Sequence, residues 1–417
     1  MNAGFLTEDS KALSALYAIY LGATGVATDT RKCGQNTLFF ALVGENFDGN
    51  RFAQDALDRG CIAAVVDDPA LFDAPGMFGV ADVLTALQSL AAHHRGHWDF
   101  PVIGLTGSNG KTTTKELLLA VLGEGFDVHG TRGNLNNHIG VPLTLLDIPA
   151  SSQMAIIEMG ANHRGEIQEL CAIASPTHGL ITNIGRAHLE GFGGEEGVLL
   201  GKAELYDSLR KSGGTAFVRS DDSALLAVSE GIARNLYGGE FSADCGHIDF
   251  ALPGAHNMLN ADAAIAVGRH FGLSTGAISS ALEAFVPHSG RGELKTTSDN
   301  VLLLDCYNAN PSSVEAAVRS FAAERTTPHK LCIIGDMKEL GAFASESHHQ
   351  TLLLMDELGL AHWVVGPCFM EVAGPDTIAF PDTDAVIARL SAQPIKGQFI
   401  LLKGSRSMAL ERLIDLL

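Results

Sequence analysis

Val102-Ile-Gly-Leu-Thr-Gly-Ser-Asn-Gly-Lys-Thr-Thr-Thr114 decides how the rest of the chain is read. Val102 to Thr106 is a short apolar run of the kind that makes a buried strand, and Thr112 to Leu122 reads as a helix. Between them lies a glycine-rich turn at a helix start. Gly107 and Gly110 permit close backbone approach, and the NH groups and helix dipole favour an anion. Lys111 adds a positive charge and Thr112 a hydroxyl for magnesium. The longer Walker form has a glycine five positions before Gly110, where this chain has Leu105, so the match is to the shorter T-G-x-N-G-K-T form. Thr106, Gly107, Ser108, Asn109, Gly110, Lys111, Thr112 and Thr113 are therefore expected to hold nucleotide phosphates. The turn alone does not name a reaction.

The pattern on either side divides the chain in three. Before the loop, Thr37 to Val43 and Cys61 to Val66 read as short buried strands, with a helix from Arg51 to Arg59 between them. Around the loop, Met154-Ala-Ile-Ile-Glu158 and Gly179-Leu-Ile-Thr-Asn183 read as further strands, each ending in a polar residue. Strand ends of an open parallel sheet are where ligands bind. After Gly290-Arg-Gly292, the runs Val301–Asp305, Lys330–Gly335, Trp363–Val365 and Phe399–Leu402 alternate with helical stretches, a second parallel-sheet unit. The expected fold is α/β with three domains, at 1–97, 98–288 and 289–417.

Length and composition agree. A chain of 417 residues is too long for one ordinary core, and 46% hydrophobic with 18% charged residues is a globular composition. The formal charge, 28 − 48 = −20, argues against a nucleic-acid surface. Seven scattered cysteines, Cys33, Cys61, Cys171, Cys245, Cys306, Cys332 and Cys368, do not pair at disulfide or zinc spacing. Met1 to Leu16 carries Glu8, Asp9 and Lys11 without a secretory pattern, and no apolar run approaches the roughly 20 residues of a membrane helix. A cytoplasmic monomer is expected.

Motifs beyond the loop resemble those of the Mur ligases, in the family's order. They are Gly133-Asn-Leu-Asn-Asn-His-Ile-Gly-Val-Pro142, Glu158-Met-Gly160, Gly165-Glu-Ile167, Thr182-Asn-Ile-Gly185, Ala187-His-Leu-Glu190 and Gly201-Lys-Ala-Glu204. Gly254-Ala-His-Asn257 with Asn260, Arg291 and Lys403-Gly-Ser-Arg406 complete the set. The resemblance covers almost the whole chain. It implies an N-terminal uridine-nucleotide-binding domain, a central P-loop ATPase domain with a mainly parallel sheet, and a C-terminal Rossmann-like domain. It also implies ATP-dependent amide formation through an acyl phosphate, with ATP and Mg²⁺ as cofactors. Thr112, Glu158, His188 and a carbamylated Lys202 would serve the metals, with Lys111, His188 and Lys202 as the catalytic group. Asn257 and Asn260 would lie near adenine, and Arg291, Lys403 and Arg406 would reach the nucleotide on domain closure.

The outer segments narrow the substrate. Thr28-Asp-Thr-Arg31 and Gly44-Glu-Asn-Phe-Asp-Gly49, with Asn46, Phe47 and Asp48, resemble the uridine-diphosphate-binding turns of the members that add the third residue or the final dipeptide. Asp305-Cys-Tyr-Asn-Ala-Asn-Pro311 and Gly335-Asp-Met-Lys-Glu-Leu-Gly341, followed by Ser345 and His348, resemble the dipeptide-adding members. The Y-A-H-T-P-like and D-N-P-R-like elements of third-residue ligases are missing. Asn136, Asn137, Asn308 and Asn310 are substrate candidates by motif. The expected reaction joins D-alanyl-D-alanine to UDP-N-acetylmuramoyl-tripeptide. Folate-polyglutamating relatives begin close to their loop, whereas about a hundred residues precede it here. A non-catalytic nucleotide-binding regulator would have lost chemical residues, yet Lys111, Glu158, His188 and Lys202 all stand.

Overall fold

Short apolar runs bounded by glycine and polar residues become the strands of three separate sheets. The computed structural model describes residues 10–239, 248, 250, 252, 254–286, 292–324 and 329–417. In the first unit, β1 (Gly25–Ala27), β2 (Thr37–Phe40), β5 (Ala63–Val66) and β6 (Met77–Gly79) form a parallel sheet in the order β1-β2-β5-β6. A small hairpin, β3 (Val43–Gly44) with β4 (Phe47–Asp48), projects after β2. The strand expected over 37–43 stops at Phe40, because the chain turns there and Val43, 58% exposed, joins the hairpin instead. The helix expected over 51–59 is a 3₁₀ turn, Gly49–Phe52, followed by the helix Ala53–Asp58.

The middle sheet holds β7 (Val102–Thr106), β8 (Val128–Gly130), β9 (Met154–Glu158), β10 (His178–Ile181), β11 (Thr215–Arg219) and β12 (Ala233–Tyr237), all parallel, in the order β12-β11-β10-β7-β9-β8. Its central strands are apolar throughout because both faces are covered, as parallel sheets require. Successive side chains alternate between two cores. Val102, Ala155 and Ile157 face one, while Ile103, Leu105 and Ile156 face the other. The chain passes from β9 to β10 across β7, so the end of β7 lies at the point where strand order reverses and ligands are received.

The third sheet contains β13 (Glu293–Thr296), β14 (Val301–Asp305), β15 (Lys330–Gly335), β16 (Ala361–Val365), β17 (Ile378–Phe380) and β18 (Phe399–Lys403), ordered β13-β14-β18-β15-β16-β17. Only β13 runs antiparallel.

The first and middle units are fastened by the helix Val83–Arg95, which packs on the helices Gly140–Asp147 and Glu166–Ala174. Arg95, buried to 7%, donates to the carbonyls of Ala174 (3.0 Å), Ser175 (2.9 Å) and Trp98 (3.1 Å). Tyr20 adds a bond to the carbonyl of Leu146 at 2.9 Å.

Candidate active site

The phosphate loop lies between β7 and the helix Lys111–Gly123, whose first turn displays the amides that an anion needs. Gly107 has φ +142°, and a Cβ there would meet the Thr182 hydroxyl at 2.0 Å. Gly110 has φ +78°, and its Cβ would lie 2.6 Å from the amide oxygen of Asn260. Both glycines are thus forced by backbone conformation and by close neighbours.

Neighbouring strand ends grip the loop. Thr106 donates its hydroxyl to the Met159 carbonyl at 2.8 Å, so its side chain ties β7 to β9 and is not turned to a ligand. Ser108 is bonded to Gly185, accepting from its NH at 2.9 Å. Asn109 accepts on its carbonyl from Thr182 (2.6 Å) and Asn183 (2.9 Å), after β10. Lys111 turns its ammonium to the carbonyls of Gly107 (2.7 Å) and Ser108 (3.3 Å). Thr113 sits half-buried on the first helical turn.

Beside the loop, Glu158 closes β9 and is 2% exposed. Its carboxylate accepts from the Thr112 hydroxyl at 3.0 and 3.2 Å and from the Asn136 amide at 2.8 Å. Three residues distant in sequence therefore converge, an oxygen-rich group suited to a hard cation. Asn137 does different work: its side chain accepts from the NH groups of Ile139 and Gly140 and starts the helix there.

Lys202 lies inside the helix Glu195–Ser212 and is 1% exposed. Its ammonium donates to the Ala161 carbonyl at 3.0 Å and stands 4.9 Å from the centre of the Phe192 ring. Burial, then the nearby charge of Lys111, holds its amine well below the usual lysine range, against the opposing pull of Glu166 and Glu204.

Asn257 and Asn260 are both buried on the helix Ala255–His270. Asn260 bonds to Asn257 at 3.2 Å and accepts from Thr114 at 3.2 Å, so it braces the underside of the loop. Arg291 lies outside the described residues.

The third unit reaches the loop directly. Asn310 donates to the Asn109 side chain at 2.7 Å and caps the helix Pro311–Ala323 by accepting from Ser313. Its amide thus links loop and helix, and the residue also lines a cavity between the middle and third sheets. Ser312 accepts from the Arg186 NH at 2.7 Å. Lys403, 2% exposed, is revised: it is held by Asp305 at 2.6 Å and the Asn308 carbonyl at 3.3 Å, because β14 and β18 pair with Asp305 opposite Lys403. It orders the turn after β14 and does not present an open anion surface. Arg406 keeps its side chain 66% exposed, 5.9 Å from the Tyr307 ring centre and 3.3 Å from Glu411.

His188 does not touch the Thr112–Glu158 group; its imidazole contacts the carboxylate of Glu339 from the third unit. That contact holds the Glu339 carboxyl below its ordinary range. Together they border a cavity of about 240 Å³ between the middle and third sheets, with Asn308, Lys338 and Arg406. Glu339 and Lys338 lie in the motif Gly335–Gly341 but carry no individual role from sequence. The available signal was a charged pair in a turn bounded by Gly335 and Gly341 after a predicted strand.

In the first unit, Asp29 caps the 3₁₀ turn Thr30–Lys32 by accepting from the Arg31 NH at 2.9 Å. Hydrogen bonding to the Arg31 guanidinium draws its carboxyl down to about 2. Thr28 is half-buried beside this turn. Asn46 and Phe47 are exposed on the hairpin, Phe47 stacks on Phe52 with centres 5.3 Å apart, and Asp48 caps the turn Gly49–Phe52.

Three parallel-sheet units, with a phosphate loop at the switch point of the middle one and the third closing over it, define a nucleotide-dependent ligase architecture, and the chain belongs to the Mur ligase family. The family's models match in chain order: "Mur ligase family, catalytic domain" at 23–95, "Mur ligase middle domain" at 105–237 and "Mur ligase, glutamate ligase domain" at 290–406. Within the family, the chain is 34% identical to the UDP-N-acetylmuramoyl-tripeptide–D-alanyl-D-alanine ligase of Bacillus subtilis, over 94% of this chain and 92% of that one. It superposes on the crystal structure of MurF from Acinetobacter baumannii with TM-score 0.84 at 31% identity, covering 97% and 98% of the two chains. For MurF ligase from Thermotoga maritima in complex with ADP the TM-score is also 0.84, at 25% identity, covering 95% and 97%. No helix among the described residues is long and apolar enough to cross a membrane.

Proposed function

We propose that this chain is the ATP-dependent ligase that joins D-alanyl-D-alanine to UDP-N-acetylmuramoyl-tripeptide in the cytoplasm, acting as a monomer. The observation that carries the reading is the junction of loop and third unit, Asn109 with Asn310. That bond joins the end of the D-C-Y-N-A-N-P turn to the glycine-rich loop proposed to hold ATP, which supports the reading.

Amide formation from a carboxylate and an amine is uphill in water. ATP makes it feasible: a carboxylate oxygen of the tripeptide attacks the γ-phosphorus, and ADP leaves with the electron pair. The amine of the dipeptide then attacks the acyl carbon, the carbon–oxygen bond to phosphate breaks, and phosphate departs. The protein's part is alignment and charge neutralisation. The loop amides and Lys111 hold the phosphates, moving Lys111 off the carbonyls of Gly107 and Ser108. Asn260 keeps Gly110 in place beneath them.

Thr112 and Glu158 would hold Mg²⁺; the half-buried hydroxyl and the buried carboxylate offer oxygen ligands that fit that ion. Lys202 fits carbamylation, since burial favours its neutral amine, the nucleophile that attacks carbon dioxide with release of a proton; the carbamate and His188 would serve a second ion. The metals supply neutralisation of the phosphate charge. Domain closure excludes water from the acyl phosphate. Thr28, Asp29, Thr30, Arg31, Asn46 and Asp48 would receive the uridine diphosphate, with the exposed Phe47 ring, backed by Phe52, offering its face to the base.

Phosphate release by purified protein with ATP, Mg²⁺ and bicarbonate tests the proposal. Turnover is expected with UDP-muramoyl tripeptide plus D-Ala-D-Ala. It is not expected with UDP-muramoyl dipeptide plus a diamino acid, or with a reduced folate plus glutamate. Release with the first pair no faster than with ATP alone ends the reading.

A further inference from the structure

Five residues other than glycine adopt a left-handed backbone among the described residues, and two of them touch each other. His188 has φ +53° and Glu339 φ +63°, and their side chains meet across the cleft between the middle and third sheets. A non-glycine residue in this conformation costs on the order of 1–2 kcal/mol, so two facing positions that keep an imidazole and a carboxylate there mark a site where those groups are needed. Glu339 lies in a turn between Gly335 and Gly341, where a glycine would be free of that cost.

The contact borders the cavity of about 240 Å³ already described. That volume falls below the ~300–1,000 Å³ usual for drug-sized ligands and far short of a nucleotide. Its charges are mixed. Glu339 is the acid, and Lys338 and Arg406 are cations on the same wall system. The backbones that carry them are tied together: the Lys338 NH donates to the Ser405 hydroxyl at 3.0 Å and the Ser405 NH to the Asp336 carbonyl at 3.2 Å, while the two cationic side chains are exposed and Arg406 lies 3.3 Å from Glu411. A small cavity with an acid and two cationic groups suits a small zwitterion.

We propose that Glu339 is the specificity determinant for the free ammonium end of the incoming dipeptide, while Lys338 and Arg406 receive its carboxylate. The inference rests on the ligase reading above and deepens it. His188 positions the Glu339 carboxylate. The ammonium displaces or shares that contact and passes a proton to the Glu339 carboxylate, which leaves the neutral amine on the side of the cleft where the acyl phosphate forms. Rejection of C-terminal amides follows from the loss of Arg406 and Lys338 pairing.

The test is steady-state kinetics of the full chain with all three substrates. Glu339→Gln is expected to raise the KM for D-Ala-D-Ala at least tenfold and leave the KM for ATP and for the UDP precursor within twofold. Glu339→Gly is expected to show the same loss with an unfolding temperature equal to or above the parent's, since the strain is relieved, and this separates binding from folding. The parent should prefer D-Ala-D-Ala to D-Ala-D-alaninamide by at least tenfold, and Arg406→Ala should abolish that preference. An unchanged dipeptide KM in both Glu339 variants, or equal rises for all three substrates, overturns the inference while the ligase reading stands. A parent chain inert toward the dipeptide pair removes both.

Discussion

The two edges of the middle sheet are built from the same strands and finish in opposite ways. At the C-terminal edge, Thr106, Glu158 and Thr182 end their strands with polar groups, and Lys202 is sealed nearby with no carboxylate bonded to it among the described residues. At the N-terminal edge the polar groups are closed off. The Val102 NH donates to the Thr177 hydroxyl at 3.0 Å, and the His178 ring is boxed by Phe217, His270 and Phe271 with centres 5.1–6.1 Å away. Burying charge costs several kcal/mol per ion unless it is well paired. One edge bears that cost to do chemistry, and the other avoids it to hold the sheet together. Changes at the first should therefore strike turnover and spare stability, and changes at the second the reverse.

The largest effect belongs to Lys202. Lys202→Met, an apolar chain of similar length, should cut turnover about a thousandfold, the scale of losing a key electrostatic group. Its calorimetric unfolding temperature should hold or rise, because a buried ammonium is gone. Lys202→Ala, which leaves space, should regain part of its activity with added acetate. A Met variant that unfolds early yet turns over normally would invert the comparison.

Gly107→Ala comes next and blurs the boundary, since the added carbon meets the Thr182 hydroxyl at 2.0 Å. Forced φ of this kind costs about 1–3 kcal/mol. The same displacement should weaken ATP about tenfold, equivalent to ~1.4 kcal/mol. Denaturant unfolding and nucleotide titration measure the two losses; a variant that binds ATP like the parent would show that the loop tolerates a side chain there.

The smallest effect on turnover is expected at the opposite edge. Burial, then the neighbouring His270, lowers His178 to about 4 from 6.5. The unfolded chain therefore takes up this proton first as pH falls, so stability declines from pH 6.5 to about 4 and the loss is complete below that. His178→Gln cannot titrate, and its urea-unfolding curves should depend less on pH across that window while neutral-pH turnover stays at the parent's level. An equal pH slope in parent and variant would remove His178 as the cause.

Much of this was legible in the sequence, for a physical reason. β9, β14 and β15 begin and end where apolar runs begin and end, and the phosphate loop is marked by glycines whose neighbours leave no alternative. What escaped depends on register and on contacts between units. The burial of Lys403 against Asp305 needs β14 and β18 to be adjacent, with those two residues opposite, although almost a hundred positions separate them. The link from Asn310 to Asn109 and the meeting of His188 with Glu339 join the middle and third units, and no local pattern encodes either. The outer strands β8 and β12 and their inner neighbour β11 were not read, nor was the hairpin after β2; the hairpin is two residues per strand, too short for alternation to show.

The buried guanidinium of Arg95 has a consequence for length. By riveting the first unit to the carbonyls of Ala174 and Ser175, it makes those two units behave as the fixed jaw of a caliper, with the third unit as the moving one. On the proposed function, a substrate anchored by its uridine end on the first sheet and reacting at the phosphate loop would be gauged against that fixed span. A peptide stem one residue shorter or longer would then be expected to miss the loop.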